Sequence, residues 1–90
     1  MRVLEIEFTT AIKKDLKKYQ YQKDILLALH EVIDILAKQR SLPSKHRDHH
    51  LRGNWINHRE CHVKNDVLLI YQINDNILFL TRFGSHSELF

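Results

Sequence analysis

Only two glycines and one proline occur in this 90-residue chain. These residues supply many of the backbone conformations that sharp turns require, so their scarcity demands short connections and dense regular structure. Leu4, Ile6 and Phe8 alternate with Val3, Glu5 and Glu7, the period-two pattern of a half-buried strand. Thr9 and Thr10 then offer a helix N-cap. Ile12, Leu16 and Tyr19 follow at helical spacing, with Lys13, Lys14, Lys17 and Lys18 on the other faces. A second helix is predicted over residues 22–39, where Ile25, Leu29, Val32, Ile33 and Leu36 form one stripe. It runs out at Ser41-Leu42-Pro43-Ser44, because the residue before proline avoids helical angles. The short link between the helices predicts an antiparallel pair.

Residues 45–57 read as an ordered loop or short strand with a turn at Gly53-Asn54. Three strands are expected next: His58 to Lys64, Val67 to Ile73, and Ile77 to Phe83. Asn65-Asp66 and Asn74-Asp75-Asn76 provide the turns between them. Gly84 is expected to end the last strand and leave a tail through Phe90. The predicted order is β-α-α-β-β-β in a single domain spanning residues 1–90. Its class is α+β, with two helices packed on a mainly antiparallel sheet.

Composition narrows the function classes. A chain with 43% hydrophobic and 28% charged residues is ordinary for a folded domain and too apolar for a disordered tail. One cysteine, Cys61, excludes an internal disulfide framework and a cysteine-rich zinc motif. No apolar run is longer than Val67 to Tyr71, which is far short of the roughly 18 residues that span a bilayer. The amino-terminal residues do not read as a signal peptide, and a soluble cytoplasmic protein is expected. The net charge of +3 is unevenly placed: +2 over residues 1–40, +3 over 41–65 and −2 over 66–90. Five of the seven histidines fall in that middle segment, so basic and titratable density coincide. A basic surface favours a polyanion, and phosphate contacts dominate nucleic-acid affinity. Lysine-rich helix faces are, more commonly, plain solvated surface.

Strand alternation puts His58, Glu60 and His62 on one face and Arg59, Cys61 and Val63 on the other. Arg82 is the only charge in an apolar strand, which calls for an anionic partner: Glu60 or a bound phosphate. His86 and Phe90 lie beyond that strand, and His49 and Arg52 lie in the preceding basic loop. Histidines with an arginine and a terminal aromatic suit RNA cleavage by the RNA's own 2′-hydroxyl. The substrate supplies the nucleophile, and the protein supplies a base, an acid and a cation for the crowded phosphate. An aromatic ring can hold an unstacked base. A metal site is the competing account. His58 and His62, four apart on a strand, are separated by about 13 Å of rise, too far to share one ion, so no metal or other cofactor is expected. His30 and His46 read as surface polar bystanders, and Trp55 and Tyr71 as core or loop-anchoring aromatics rather than base-stacking ones.

Taken together, D-H-x-L-x-G-x-W at Asp48–Trp55, Arg59-Glu60-Cys61-His62-Val63, Asp66–Tyr71 and the ending Arg82-Phe83-Gly84-Ser85-His86-Ser87-Glu88-Leu89-Phe90 are distinctive. In this order and spacing the chain resembles the YafQ-like branch of the RelE/ParE toxin superfamily of bacterial toxin–antitoxin systems, over essentially its whole length. The resemblance implies a ribosome-dependent endoribonuclease that cuts mRNA in the decoding site. Carried over by position, His49, Glu60, His62, Asp66, Arg82, His86 and Phe90 fall on functional places. The family pattern usually has Asp where Glu60 stands, which moves the carboxylate by one methylene. On this reading His86 is the general acid, and His62 or His49 the general base. Glu60 and Asp66 orient or tune the histidines, Arg82 stabilises the scissile phosphate, and Phe90 stacks on a base. Lys13, Lys14, Lys17, Lys18 and Arg52 would contact RNA. The implied partners are the ribosome, mRNA and a cognate antitoxin that wraps the toxin, with no membrane. The toxin would be a monomer when free and a hetero-oligomer with its antitoxin. Two alternatives stay open: a non-catalytic toxin of the same superfamily acting on DNA gyrase, and an RNA-binding module without catalysis.

Overall fold

Thr9 opens the first helix: its hydroxyl accepts from the Ile12 N–H at 3.1 Å and donates to the Thr81 carbonyl at 2.8 Å. The cap thus starts the helix and also ties it to a strand 72 residues away in sequence. This computed structural model describes residues 2–90. The chain runs β1 (Glu5–Phe8), α1 (Thr10–Lys17), α2 (Lys23–Ala37), β2 (His49–His50), β3 (Arg59–Lys64), β4 (Val67–Asn74), β5 (Ile77–Ser85) and α3 (His86–Leu89). Single 3₁₀ turns at Ser44–His46 and Gly53–Trp55 flank β2.

The five strands form one sheet in the order β1-β5-β4-β3-β2. All neighbours are antiparallel except β1 and β5, which run parallel. Two helices and three strands lie between β1 and β5, a crossover long enough for a parallel pair. The α+β class and the mainly antiparallel sheet are as expected, with one parallel pair at the β1 edge.

The main core lies between the helices and one face of the sheet, where Ile12, Val32, Cys61, Leu69, Tyr71, Leu78, Leu80 and Phe83 are essentially inaccessible. Burying such an aliphatic or aromatic side chain contributes about 1.5–3 kcal/mol. On the opposite face Leu68, Ile70 and Leu89 form a second, smaller cluster, with Leu51 and Trp55 packed against it. That second cluster is the floor beneath the candidate site.

Three expectations need correction. Ile6 and Phe8 remain 41% and 43% exposed, because β1 is an edge strand and its residues lack neighbours on one side. Gly84 does not end the last strand: β5 continues to Ser85, and the supposed tail is the helical turn α3. A capping box closes that turn, with Ser85 Oγ accepting from Glu88 N–H and Glu88 accepting from Ser85 N–H. His46 is not a surface bystander, being 9% exposed with ring Nδ1 2.6 Å from the His62 carbonyl.

Candidate active site

Glu60 is the centre. It sits mid-strand on β3, paired with His49 of β2 on one side and Ile70 of β4 on the other, and only 4% of it is exposed. Three imidazole Nε2 atoms surround its Oε1: His49 at 3.7 Å, His62 at 3.8 Å and His86 at 3.9 Å. Each forms an ion pair with it when protonated. His62 reaches this point by alternation along β3, and His49 by cross-strand pairing. His86 arrives from α3, where the chain turns back over the sheet.

Two of the rings are held from behind. His49 Nδ1 lies 2.6 Å from the Arg47 carbonyl, which can only accept, so Nδ1 carries the proton and donates it. The neutral ring therefore presents an Nε2 lone pair to the site. His86 Nδ1 lies 2.8 Å from Asp66 Oδ1, which fixes that ring in the same sense, Nε2 inward. The rings of His62 and His86 meet edge-on at 5.8 Å between centroids. Phe90, 58% exposed, lies 6.1 Å from His86 and tilted by 38°.

The loop bearing His49 is anchored one residue earlier. Asp48 accepts the Tyr71 hydroxyl at 2.5 Å and the Arg59 guanidinium at 3.1 and 3.2 Å. Burial pushes the Tyr71 hydroxyl above its usual range, and its bond to Asp48 adds to this. The turn bearing His86 is anchored through Glu88, which accepts the Tyr19 hydroxyl at 2.7 Å and pairs with Lys18 at 3.5 Å. The Ser85 backbone N–H, helped by Tyr19, holds the Glu88 carboxyl down at about 2, against an ordinary value near 4.5. Desolvation, reinforced by the bond to Glu88, raises the Tyr19 hydroxyl to about 12.

Because Glu88 has its lowered value only in the folded state, its contribution is present above about pH 4.5 and lost as pH falls through about 2. Glu88→Gln should therefore be less stable than the parent at pH 6. The gap between their urea midpoints should shrink steadily towards pH 2. A gap independent of pH would show that Glu88 does not anchor the turn through its charge.

The sequence expectations are met unevenly. His49, Glu60, His62, Asp66 and His86 do come together, with Phe90 beside them. Arg82 shares their sheet row, but the carboxylate its guanidinium binds is Asp15 of α1 and not Glu60. Lys13, Lys14, Lys17, Lys18 and Arg52 are all exposed, and Lys18 reaches Glu88. Cys61 is fully buried, and desolvation raises its thiol to about 12, which makes it inert. The residues missed are the anchors Asp48, Glu88, Tyr19 and Asp15, whereas Tyr71 packs in the core and anchors the loop through Asp48 as expected. Two left a trace: Ser85-x-x-Glu88 is a capping-box spacing, and Asp15 is a charge set among Ile12, Leu16 and Tyr19 on an apolar helix stripe.

The spacing argument against metal also needs amending. It concerned His58 and His62, whereas Glu60, His62 and His86 each offer one ligand atom, all within 4.8 Å of one another. This set can hold a metal ion, the third ligand coming from a distant segment of the chain. An ion there would occupy a ring nitrogen of His62 and one of His86, and a coordinated nitrogen cannot at the same time carry a transferable proton, so the two uses exclude each other.

Residues 4–90 match the family model described as the bacterial toxin of type II toxin–antitoxin systems, YafQ. The mRNA interferase toxin YafQ of Escherichia coli strain K12 is 33% identical over 87 residues, covering 96% of this chain and 95% of that protein. A crystal structure of a metal-bound toxin from Helicobacter pylori superposes with a TM-score of 0.88 at 46% identity, covering 97% of this chain and 99% of that one. YafQ in the crystal structure of the E. coli DinJ–YafQ toxin–antitoxin complex superposes with a TM-score of 0.85 at 33% identity, covering 97% of each chain.

Proposed function

The chain belongs to the YafQ family of type II toxin–antitoxin toxins, and from that premise we propose that it is a ribosome-associated endoribonuclease. It cleaves mRNA without a metal ion, inhibits translation, acts in the cytoplasm, and is held inactive in a hetero-oligomer with a cognate antitoxin. The observation that carries this reading is the convergence of three imidazole Nε2 atoms on Glu60 within 3.9 Å, two of them oriented from behind. The names of the relatives, mRNA interferase for one and toxin–antitoxin complex for another, point the same way.

In the mechanism, His49 Nε2 takes the proton of the RNA 2′-hydroxyl, whose oxygen attacks the adjacent phosphorus. His86 Nε2–H gives its proton to the departing 5′-oxygen. The products are a 2′,3′-cyclic phosphate and a 5′-hydroxyl, and the two histidines have exchanged protonation states. Between His49 and His62 as base, the Arg47 carbonyl favours His49, since it leaves the inward nitrogen free to accept. Glu60 holds the three rings around one point, Arg82 binds the phosphate, and Phe90 stacks on a base. Lys13, Lys14, Lys17, Lys18 and Arg52 provide the RNA-facing charge.

Primer-extension mapping of mRNA ends after brief expression tests the proposal, wild type against His86→Ala. New ends should appear with the wild type alone, and purified protein should cleave equally in EDTA. Loss of cleavage in EDTA would overturn metal independence. Inhibition of DNA supercoiling with no new mRNA ends, or RNA binding that survives without cleavage, would overturn the enzymatic reading. Each lysine that contacts a phosphate should steepen the fall of log affinity with log salt by roughly 0.7–0.9. Replacing Lys13 and Lys17 by alanine should flatten the measured slope accordingly.

A further inference from the structure

Beyond the site itself, a single buried carboxylate governs Arg82. In β5, Tyr71 pairs with Leu80 while Ile70 pairs with Arg82, so Thr81 is an extra residue in a bulge. Simple alternation from Leu78 and Leu80 would send residue 82 into the main core. The bulge instead turns Phe83 into that core and sets Arg82 on the row of Ile70 and Glu60. There β1 has already ended, since its last paired residue, Phe8, lies opposite Leu80. Helix α1 crosses the vacated edge and presents Asp15, which is 5% exposed.

Asp15 Oδ2 accepts Arg82 Nε–H at 2.8 Å and Phe83 N–H at 3.0 Å, while Oδ1 accepts Arg82 Nη2–H at 3.2 Å. The carboxylate thus takes the side-on edge of the guanidinium, made of Nε and one Nη2 hydrogen. Both Nη1 hydrogens and the other Nη2 hydrogen remain, and one from each nitrogen makes the end-on edge, itself a two-pronged donor suited to phosphate. The Arg82 side chain is 29% exposed, and among the described residues no group other than Asp15 hydrogen-bonds its guanidinium.

We propose that Asp15 is a positioning residue for RNA cleavage: it holds Arg82 side-on so that the end-on edge meets the phosphate of the bound RNA. The proposal rests on the endoribonuclease reading. It also explains why a carboxylate sits on the apolar stripe of α1, where a core side chain would otherwise pack. With its charge balanced by Asp15, Arg82 grips the phosphate by directed N–H groups rather than by net charge.

The test is a double-mutant cycle on kcat/KM for RNA cleavage, with Asp15→Asn and Arg82→Ala. Asp15→Asn alone should lower kcat/KM roughly 10–100-fold, the scale of a catalytic group misplaced by about 1 Å. In the Arg82→Ala background the same change should have less than about a twofold effect. Equal losses in both backgrounds would overturn the proposal, since Asp15 would then act through the fold alone. Asp15→Glu, which keeps the carboxylate, should recover part of the rate, and it takes the place of Asp15→Asn in the cycle if that variant does not fold. Independently of activity, the Arg82 Nε–H resonance should respond to inorganic phosphate in the wild type and respond less in Asp15→Asn. An equal response in both would also overturn the proposal. If the wild type cleaves no RNA, the endoribonuclease reading falls, and the resonance experiment still decides the role of Asp15.

Discussion

His86→Ala is expected to lower kcat for RNA cleavage by about 10²–10⁴-fold, the usual contribution of a positioned general acid. The ring is held by Asp66 at 2.8 Å and half exposed, so its removal leaves no cavity in either core cluster. The heat-unfolding midpoint should therefore shift little, and single-turnover cleavage of ribosome-bound mRNA should show the loss in the chemical step. Asp66→Asn separates orientation from proton donation. The amide oxygen still accepts from Nδ1–H, so this variant should lose less than His86→Ala. Should His86→Ala cleave at the parent rate, the assignment of the acid is wrong.

Asp48→Ala is expected to be the most damaging single change to stability outside the apolar core. It strips the partner from the Tyr71 hydroxyl and both partners from the Arg59 fork at once. Tyr71 is 1% exposed, so its hydroxyl has no ready access to solvent. An unsatisfied buried hydroxyl costs about 1–3 kcal/mol, and a half-buried arginine left without its carboxylate adds to that. A loss of about 2–4 kcal/mol would lower the unfolding midpoint by roughly 10–25 °C in a domain of this size. Tyr71→Phe removes one bond but leaves the Asp48–Arg59 pair, and should lose less than half as much. Calorimetry of the three proteins decides this. A near-parental midpoint for Asp48→Ala would mean that the loop before His49 is held by other contacts. In that case the precision of His49 would owe nothing to the Asp48 network.

The elements of the fold were legible because their signals are local. Thr9 caps where a cap was expected, and β3, β4 and β5 fall close to their predicted spans, because alternation and turn residues are properties of neighbours in sequence. The end of the chain was misread for the opposite reason. Gly84 looks like a terminator, yet it is buried inside β5. A Cβ there would come within 2.9 Å of Glu88 Oε1, so the position answers to α3 folding back and not to turn formation. His46 was discounted on equal grounds: nothing beside it in sequence reveals that its ring meets the His62 carbonyl 16 residues on.

The candidate site divides along the same line. Residue types, their order and the periodicity of β3 pointed to His49, Glu60, His62, Arg82, His86 and Phe90 and placed Glu60 and His62 on one face, while Asp66 was named only through the resemblance to the toxin family. Sequence alone also determined the α+β class, since two helical stripes and four strand-like segments admit few other arrangements. Tertiary structure alone decided the partners. That Arg82 answers to Asp15, that Glu60 gathers three imidazoles, and that a metal-capable trio exists at all depend on contacts between segments as far as 67 residues apart. The bulge at Thr81 is the clearest case, because one unpaired residue reverses which face Arg82 occupies. Side-chain direction alternates along a strand with a period of two, so a one-residue insertion changes every assignment beyond it, and only the pairing with β4 shows where that insertion falls.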